Sequence, residues 1–214
     1  MCPYPHLLAK GWNPDNGGEP PAEVRLLPHL RAVEAAALAI VDASGETILA
    51  NLQLPTEPWL ARLRLALRLA ALFHDLGKAN SYFQGMVRDK AKFSPDKQPI
   101  RHELISVLIL LRNSGGVADW VRRQIALAGL AEVGEELFRT LVGAVACHHV
   151  KMDEEWTKAF NPGRGGGTDL DLYLGHADLQ PLFGDLSPTD ETWPLADKQP
   201  GFPGKEHAPF NEGS

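Results

Sequence analysis

The chain has 214 residues, of which 44% are hydrophobic and 22% charged, and its formal net charge is −6. This length and composition are typical of one folded domain with a sizeable core, and they exclude an intrinsically disordered chain. The acidic balance argues against nucleic-acid binding by the whole surface, because such binding comes from Lys and Arg that neutralise phosphates. Only Cys2 and Cys147 are available for a disulfide, and we find neither a signal-peptide pattern nor an apolar run of about 18 residues. We therefore expect a soluble, cytoplasmic protein with no membrane segment.

The N-terminal part is predicted to contain an irregular segment and one long helix. Residues 1–22 are rich in Pro, Gly and Asn, and residues 23–42 have helical periodicity, with Pro28 tolerated in the first turn or at a kink. His29 would share one helix face with Leu26, Val33 and Ala36. Taken alone, it is more often a core histidine bonded to a carbonyl than a ligand. Residues 43–57 are predicted to form a loop.

The central segment, residues 58–78, reads PWLARLRLALRLAALFHDLGK and is predicted to be an apolar helix that ends in a His-Asp pair. His74 continues the stripe of Leu63, Leu67 and Ala70. A buried unpaired charge is costly, and a metal ion would remove that cost for His74 and Asp75. Imidazole and carboxylate suit manganese, iron, nickel, cobalt or zinc, and the carboxylate could bridge two ions. A helix cap or a satisfied polar pair is the commoner explanation of an isolated His-Asp pair.

Two further residues follow the pair, and one of them is a cation; a cation beside a metal site suggests a phosphate substrate. Gly77 allows another group to approach the backbone closely, and Lys78 lies on the same side as the pair if the helix persists. The next residues predict a short amphipathic turn around Phe83 and then a basic loop. The loop cations are the best candidates for contact with a phosphate backbone, although a solvated loop is the commoner reason for such a run. These cations are Arg88, Lys90, Lys92 and Lys97.

Three further helices are predicted over residues 101–113, 117–131 and 134–149. The first places His102 on the side that also carries Ile105, Ser106 and Ile109. Glu103 either fixes the tautomer of His102 or is an exposed acid of the first turn, and the second interpretation is favoured. The last helix carries Leu137, Leu141 and Val145 towards His148 and His149. Adjacent histidines point about 100° apart, so two metals, or one metal and a substrate phosphate, would use both.

The C-terminal part, residues 151–214, is dense in Gly and Pro and predicts no long helix. Short apolar pieces such as residues 170–174 are expected to pack on the helical body. The region is either a functional excursion, or the domain ends before its final helix.

The histidines predict where the chemistry lies. Five of the eight fall at core-facing or terminal positions of four predicted helices, and Asp75 accompanies one of them. We therefore predict an all-α helical bundle that holds a dinuclear metal site at its centre. The five are His29, His74, His102, His148 and His149.

The order LLAK, LLPHLRAV, FHDLGKANSYFQ, RHELIS and CHHV resembles the HD-superfamily nuclease domain of the type I CRISPR effector, the Cas-three nuclease-helicase. The resemblance covers residues 7 to about 150. The His-Asp pair alone is shared with many phosphohydrolases, and the other motifs make the match specific. The resemblance implies an HD-domain bundle, with residues 23–150 as the metal-dependent nuclease core and 151–214 as an irregular Gly/Pro-rich region.

The resemblance also implies the site and its partners. The catalytic residues would be Asp75 and Lys78, with Lys78 near the scissile phosphate. The cofactors would be two divalent transition-metal ions (manganese, iron, nickel or cobalt), and the substrate single-stranded DNA. The DNA would be the strand displaced by an RNA-guided CRISPR complex and fed by a superfamily 2 helicase. The implied metal ligands are His29, His74, Asp75, His102, His148 and His149.

Two departures from the family pattern stand out. A further aspartate ligand is expected late in the domain, and here it is Asp178, Asp197 or absent from this chain; Asp178 is slightly favoured because it follows an apolar run. No GxxxxGK[ST] motif occurs, so the helicase is expected outside this chain. Two other functions stay open: an HD phosphohydrolase acting on nucleotides, and a non-catalytic HD module that serves as a scaffold in a CRISPR complex.

Overall fold

The computed structural model describes residues 2–13, 17–89, 100–149 and 169–194. Within these residues the chain is mainly helical, with two short strands towards its C-terminal end, which confirms the predicted all-α class. The elements are α1 (Leu26–Asn51), α2 (Thr56–Phe73), α3 (Ser81–Met86), α4 (His102–Leu111), α5 (Val117–Leu127), α6 (Gly134–Cys147), β1 (Leu170–Leu172), α7 (Gln180–Phe183) and β2 (Glu191–Trp193).

The first helix is longer than the sequence predicted. The loop expected from residue 43 is wrong in its first part, because α1 continues to Asn51 through the stretch SGET. Gly45 is buried inside the helix, and a Cβ on it would come 2.7 Å from Leu60 Cδ1. The glycine therefore lets α2 approach α1 closely. Packing between the two helices outweighs the cost of one helical glycine, which is about 1 kcal/mol.

The buried face of α1 also differs from the predicted one. Pro28 lies in the first turn, as predicted. Of the residues expected beside His29, Leu26 is buried and Val33 is half-buried, but Ala36 is exposed. His29 therefore lies at the border between the core and solvent, with 20% of its side chain exposed. The buried face consists of Leu26, Leu30, Glu34, Val41, Gly45 and Leu49.

Helix α4 lies at the centre of the fold. Every residue from 103 to 110 is buried, as expected for a core helix that is apolar all round. It packs against the 3₁₀ turn Leu76–Lys78, which follows the His-Asp pair, against α6, which precedes His148, and against α5. No single helix in the described part of the chain is long and apolar enough to cross a membrane. Helix α4 and residues 114–127 together would be long and apolar enough, but they form a pair bent by 81°.

Both ends of the described chain pack into the same core. β1 pairs with β2 in antiparallel register, and Leu170, Leu172 and Leu174 are fully buried, which confirms that this apolar piece packs on the helices. At the other end Leu7 and Leu8 are also fully buried. The division into an N-terminal segment, a core and a C-terminal region stays a prediction. These buried leucines nevertheless belong to the folded body and not to irregular extensions of it.

Candidate metal centre

The His-Asp pair lies where α2 ends and a 3₁₀ turn begins. α2 ends at Phe73, earlier than predicted, and His74 is its C-terminal cap, with its N–H bonded to Ala70 O at 2.8 Å. Asp75 leaves the helical conformation, with φ −109° and ψ 10°. Lys78 N–H then donates to Asp75 O at 2.9 Å and closes the turn. Because side chains three apart are eclipsed in a 3₁₀ turn, Lys78 reaches the Asp75 carboxylate although the α-helix does not persist.

One oxygen of Asp75 faces the first two histidines and the lysine. Oδ2 lies 2.9 Å from His29 Nε2 and 3.1 Å from His74 Nε2. Lys78 Nζ donates to the same oxygen at 2.6 Å. Nitrogen and oxygen atoms of His29, His74 and Asp75 all lie within 4.8 Å of one another, which is close enough for one ion.

The other oxygen of Asp75 faces the remaining histidines. Oδ1 lies 3.0 Å from His102 Nε2 and 3.4 Å from His148 Nε2. His149 joins this second group, in which the donor atoms of all four residues lie within 4.8 Å of one another. The ring centroids of His148 and His149 are 4.3 Å apart, so these adjacent histidines lie on the same side of the site although His149 is exposed.

The tautomers of two histidines are set by carbonyls of their own helices. His74 Nδ1 lies 2.7 Å from Ala71 O, and His148 Nδ1 lies 2.6 Å from Val145 O. A carbonyl only accepts, so each Nδ1 carries the proton and, in the neutral ring, each Nε2 presents a lone pair. Both lone pairs face carboxylate oxygens of Asp75. Two acceptors that face each other need a proton or a metal cation between them, and a divalent metal would satisfy both.

Buried polar atoms that lack hydrogen-bond partners also indicate that a metal ion fits this site. Asp75 Oδ1, His102 Nε2 and His148 Nε2 are buried and have no hydrogen-bond partner among the described residues. Buried polar atoms are normally satisfied, so three orphans that face one another indicate a missing ligand. Burial raises the pKa of the Asp75 carboxyl, but the surrounding imidazoles of His102, His148, His29 and His74 outweigh it and hold this pKa far below its ordinary value. Asp75 is therefore an anion, as a metal ligand must be.

Close packing holds the turn against α4. A Cβ on Gly77 would overlap His102 O and come 2.6 Å from Ser106 N, so only glycine fits. The Ser106 hydroxyl accepts from Gly77 N at 2.8 Å and donates to His74 O at 3.0 Å. The close approach expected at Gly77 is confirmed, and Ser106, predicted on the His102 side of its helix, is what ties the two elements together.

Two buried amides of the FHDLGKANSYFQ motif also support the turn, and sequence reasoning gave them no role. Asn80 caps α3 by accepting from Phe83 N at 3.0 Å, and its amide donates to Gly77 O. Gln84 donates to Lys78 O of the turn at 2.8 Å and bonds both the N–H and the O of Leu8, each at 2.9 Å. The asparagine one residue before a short amphipathic turn was a detectable N-cap pattern. Nothing local indicated the partner of Gln84.

Glu103 is not the exposed first-turn acid that the sequence favoured. Its side chain is 1% exposed, and it forms an ion pair with Arg101 through Oε1. Its Oε2 lies 3.3 Å from His102 Nδ1. Burial raises the pKa of this carboxyl, but His102, its own backbone N–H and Arg101 hold the pKa below its ordinary value. The buried environment reflects the central place of α4, which helical periodicity alone did not predict.

Some predicted residues lie elsewhere. Asp178 belongs to neither donor group; it accepts from Leu7 N at 2.8 Å and lies 3.3 Å from His6 Nδ1. Arg88 is not a loop cation free for phosphate, because it bonds Gln84 and His6 O and lies over the Tyr4 ring. The other predicted positions, Lys90, Lys92, Lys97 and Asp197, lie outside the described residues.

A helical bundle that gathers a His-Asp pair and further histidines is the arrangement expected of a hydrolase of the HD superfamily. A family model described as Cas3, HD domain matches residues 10–179. The chain therefore belongs to the Cas3 HD-domain family, the HD nucleases associated with CRISPR, which confirms the resemblance seen in the sequence. HD domains bind divalent metals, and the His/Asp cluster described above could hold one.

Two curated relatives agree with this family. The chain is 35% identical over 185 residues to a putative CRISPR-associated nuclease/helicase Cas3 of Myxococcus xanthus (strain DK1622), covering 85% of this chain and 22% of that protein. It is 38% identical over 76 residues to the CRISPR-associated nuclease/helicase Cas3 subtype I-F/YPEST of Pseudomonas aeruginosa (strain UCBPP-PA14). This match covers 34% of this chain and 7% of that protein. The chain thus spans about a fifth or less of the length of these relatives. No solved structure matches it significantly.

Proposed function

We propose that this chain hydrolyses phosphodiester bonds of single-stranded DNA with two divalent metal ions that share the carboxylate of Asp75. One group of donors, His29 and His74, would hold one ion. A second group, His102, His148 and His149, would hold the other. The observation that carries the proposal is that both donor groups contain Asp75, whose two oxygens face different histidines.

The spacing of these donors supports two ions rather than one. Asp75 Oδ2 faces His29 and His74, whereas Oδ1 faces His102 and His148. A carboxylate that presents one oxygen to each set would contribute a ligand to each of two ions. When bound, such ions supply Lewis-acid stabilisation of the phosphodiester and lower the pKa of water.

The protein residues set the histidine tautomers that this arrangement needs. The backbone carbonyls of Ala71 and Val145 keep protons on Nδ1 of His74 and His148, which leaves Nε2 free. Manganese, iron, nickel and cobalt take this mixture of imidazole and carboxylate ligands. Asp178 is absent from both donor groups, and we propose it as a structural residue that anchors Leu7 rather than as a ligand.

Lys78 is proposed to bind the substrate phosphate. Its side chain is 11% exposed and its Nζ lies against Asp75 Oδ2, beside both donor groups. A cation held beside the donor groups by a 3₁₀ turn would stabilise negative charge on a phosphodiester.

The proposed partners follow from charge and from the relatives. A chain with a net charge of −6 gains little from non-specific DNA binding, so we propose that partners present the strand. The relatives are described as nuclease/helicases, and the chain covers 22% of the first of them. We therefore propose a superfamily 2 helicase, outside the chain described, and an RNA-guided CRISPR complex as the partners that deliver single-stranded DNA.

The test uses metal-stripped protein, circular single-stranded DNA and the matching duplex circle. Mn²⁺, Fe²⁺, Ni²⁺, Co²⁺ or Mg²⁺ is added back separately, beside Asp75→Asn, which keeps the shape of the side chain but removes its charge. Asp185→Asn is the matched control, because Asp185 is an exposed acid paired with Arg123. We expect a transition metal to restore opening of the single-stranded circle in the wild type and in Asp185→Asn but not in Asp75→Asn.

Other outcomes would contradict the proposal in distinguishable ways. Cleavage of the duplex at an equal rate would overturn the single-strand preference. Hydrolysis of mononucleotides with intact circles would favour the nucleotide phosphohydrolase. A folded protein that binds no ion in calorimetry would favour the non-catalytic scaffold module.

A further inference from the structure

We propose that Glu103 is a positioning residue that holds the proton of His102 on Nδ1 and so keeps Nε2 free for a metal ion. This role rests on the proposed metal site. It assigns a function to a buried carboxylate that neither the metal ligands nor the substrate contacts account for.

The first observation is the burial of Glu103 without full compensation. A carboxylate that is 1% exposed is costly unless both of its oxygens are paired. Oε1 is paired with Arg101, but Oε2 is buried and has no hydrogen-bond partner among the described residues. His102 Nδ1 lies 3.3 Å from this oxygen.

The second observation concerns the positions of the histidines in their helices. His74 and His148 follow the last residues of α2 and α6, so each Nδ1 donates to the carbonyl three residues earlier in its own helix. His102 is the first residue of α4, and no preceding turn of this helix offers it a carbonyl. Glu103 supplies a carboxylate oxygen in place of that carbonyl.

The imidazole of His102 therefore lies between two carboxylates. Its Nε2 is 3.0 Å from Asp75 Oδ1 and its Nδ1 is 3.3 Å from Glu103 Oε2. With a metal on the Asp75 side, the proton must lie on Nδ1, the ring nitrogen that faces Glu103 Oε2. Such a partner fixes the tautomer and makes the ring a stronger ligand, and its loss typically lowers metal affinity about 10- to 100-fold.

The experiment measures affinity and one proton resonance. Zn²⁺, which is diamagnetic, is titrated into the metal-stripped chain by calorimetry, and His102 Nδ1–H is observed by NMR of ¹⁵N-histidine-labelled protein. We expect a downfield, slowly exchanging proton in the wild type. Glu103→Gln should move this proton upfield, speed its exchange and weaken Zn²⁺ binding about 10- to 100-fold.

Two controls separate positioning from structure. Glu34→Gln changes another buried acid that is paired with arginines, Arg31 and Arg68, and should leave both readouts unchanged. Arg101→Gln removes the ion pair but leaves the carboxylate beside His102, and it should largely preserve affinity. An equal loss in Arg101→Gln would overturn the positioning role, because the ion pair would then be what matters.

The outcomes distinguish this role from the proposed function. If wild type and Glu103→Gln bind Zn²⁺ equally with the same proton signal, the role of Glu103 is wrong and the metal site stands. If the wild type binds no ion, both are wrong. Should Glu103→Gln fail to fold, the wild-type signal decides alone: an Nδ1–H that exchanges as fast as that of a free imidazole overturns the role.

Discussion

Gly77 and His102 touch through their backbones, so closely that a Cβ on Gly77 would overlap the carbonyl oxygen of His102 and approach Ser106 N to 2.6 Å. We expect Gly77→Ala to destabilise the metal-free protein by about 3 kcal/mol, the upper end of typical overpacking costs, because both neighbours are backbone atoms that cannot yield. The free energy of unfolding of both proteins is measured by urea titration. Gly134→Ala is the matched control, since its Cβ would meet only Ile125 Cγ2, at 3.9 Å. Equal stability of the two variants would contradict the close contact.

Ser106→Ala removes a hydroxyl that links two elements. The hydroxyl accepts from Gly77 N and donates to His74 O, and the side chain is 1% exposed. Leaving these buried backbone groups unpaired should cost about 1–3 kcal/mol of unfolding free energy, measured by denaturant titration. Thr140→Ala provides the comparison, because the Thr140 hydroxyl bonds Glu136 O on an exposed part of α6. A loss at Thr140 as large as that at Ser106 would argue against a special role for the buried hydroxyl.

Lys78→Met should separate substrate contact from metal binding. The ammonium lies 2.6 Å from Asp75 Oδ2, so it competes with an ion for that oxygen. Metal affinity, measured by calorimetry, should therefore stay the same or rise. Turnover of single-stranded DNA should fall about 100- to 1000-fold, as when one preorganised electrostatic donor is removed. Lys10→Met, at an exposed lysine, should change neither quantity. Loss of metal binding in Lys78→Met would show that the lysine supports the site instead of the substrate.

Glu34→Gln should show a pH-dependent loss of stability. Burial raises the pKa of the Glu34 carboxyl, but bonds to Arg31 and Arg68 outweigh it and lower the pKa below its ordinary value. The contribution is therefore complete above the unfolded pKa, about 4.3, and is lost as the pH falls through the lower folded value. We expect a loss of about 1–2 kcal/mol near pH 7, limited because both arginines are partly exposed and screened. The difference should shrink below about pH 4; a constant difference from pH 7 to 3 would contradict the assignment.

The histidines show how much of the site could be predicted. His74, His102, His148 and His149 were all predicted at helix ends or on core-facing sides, and the structure brings them around Asp75. Glu103, next to one of them, was wrongly predicted to be exposed. An acid in the first turn of a helix is usually exposed, and only the packing of other elements around α4 buries it.

Local pattern determined the helical class, the family motifs and the residue types that gather at the centre, because a helix face and a helix end follow from spacing along the chain. Tertiary packing decided the rest. Because of it, α1 continues through Gly45 to Asn51, and Asp178 accepts a hydrogen bond from Leu7 instead of lying beside Asp75. These outcomes depend on which backbone groups and side chains come into contact in the fold, and spacing along the chain does not specify those partners.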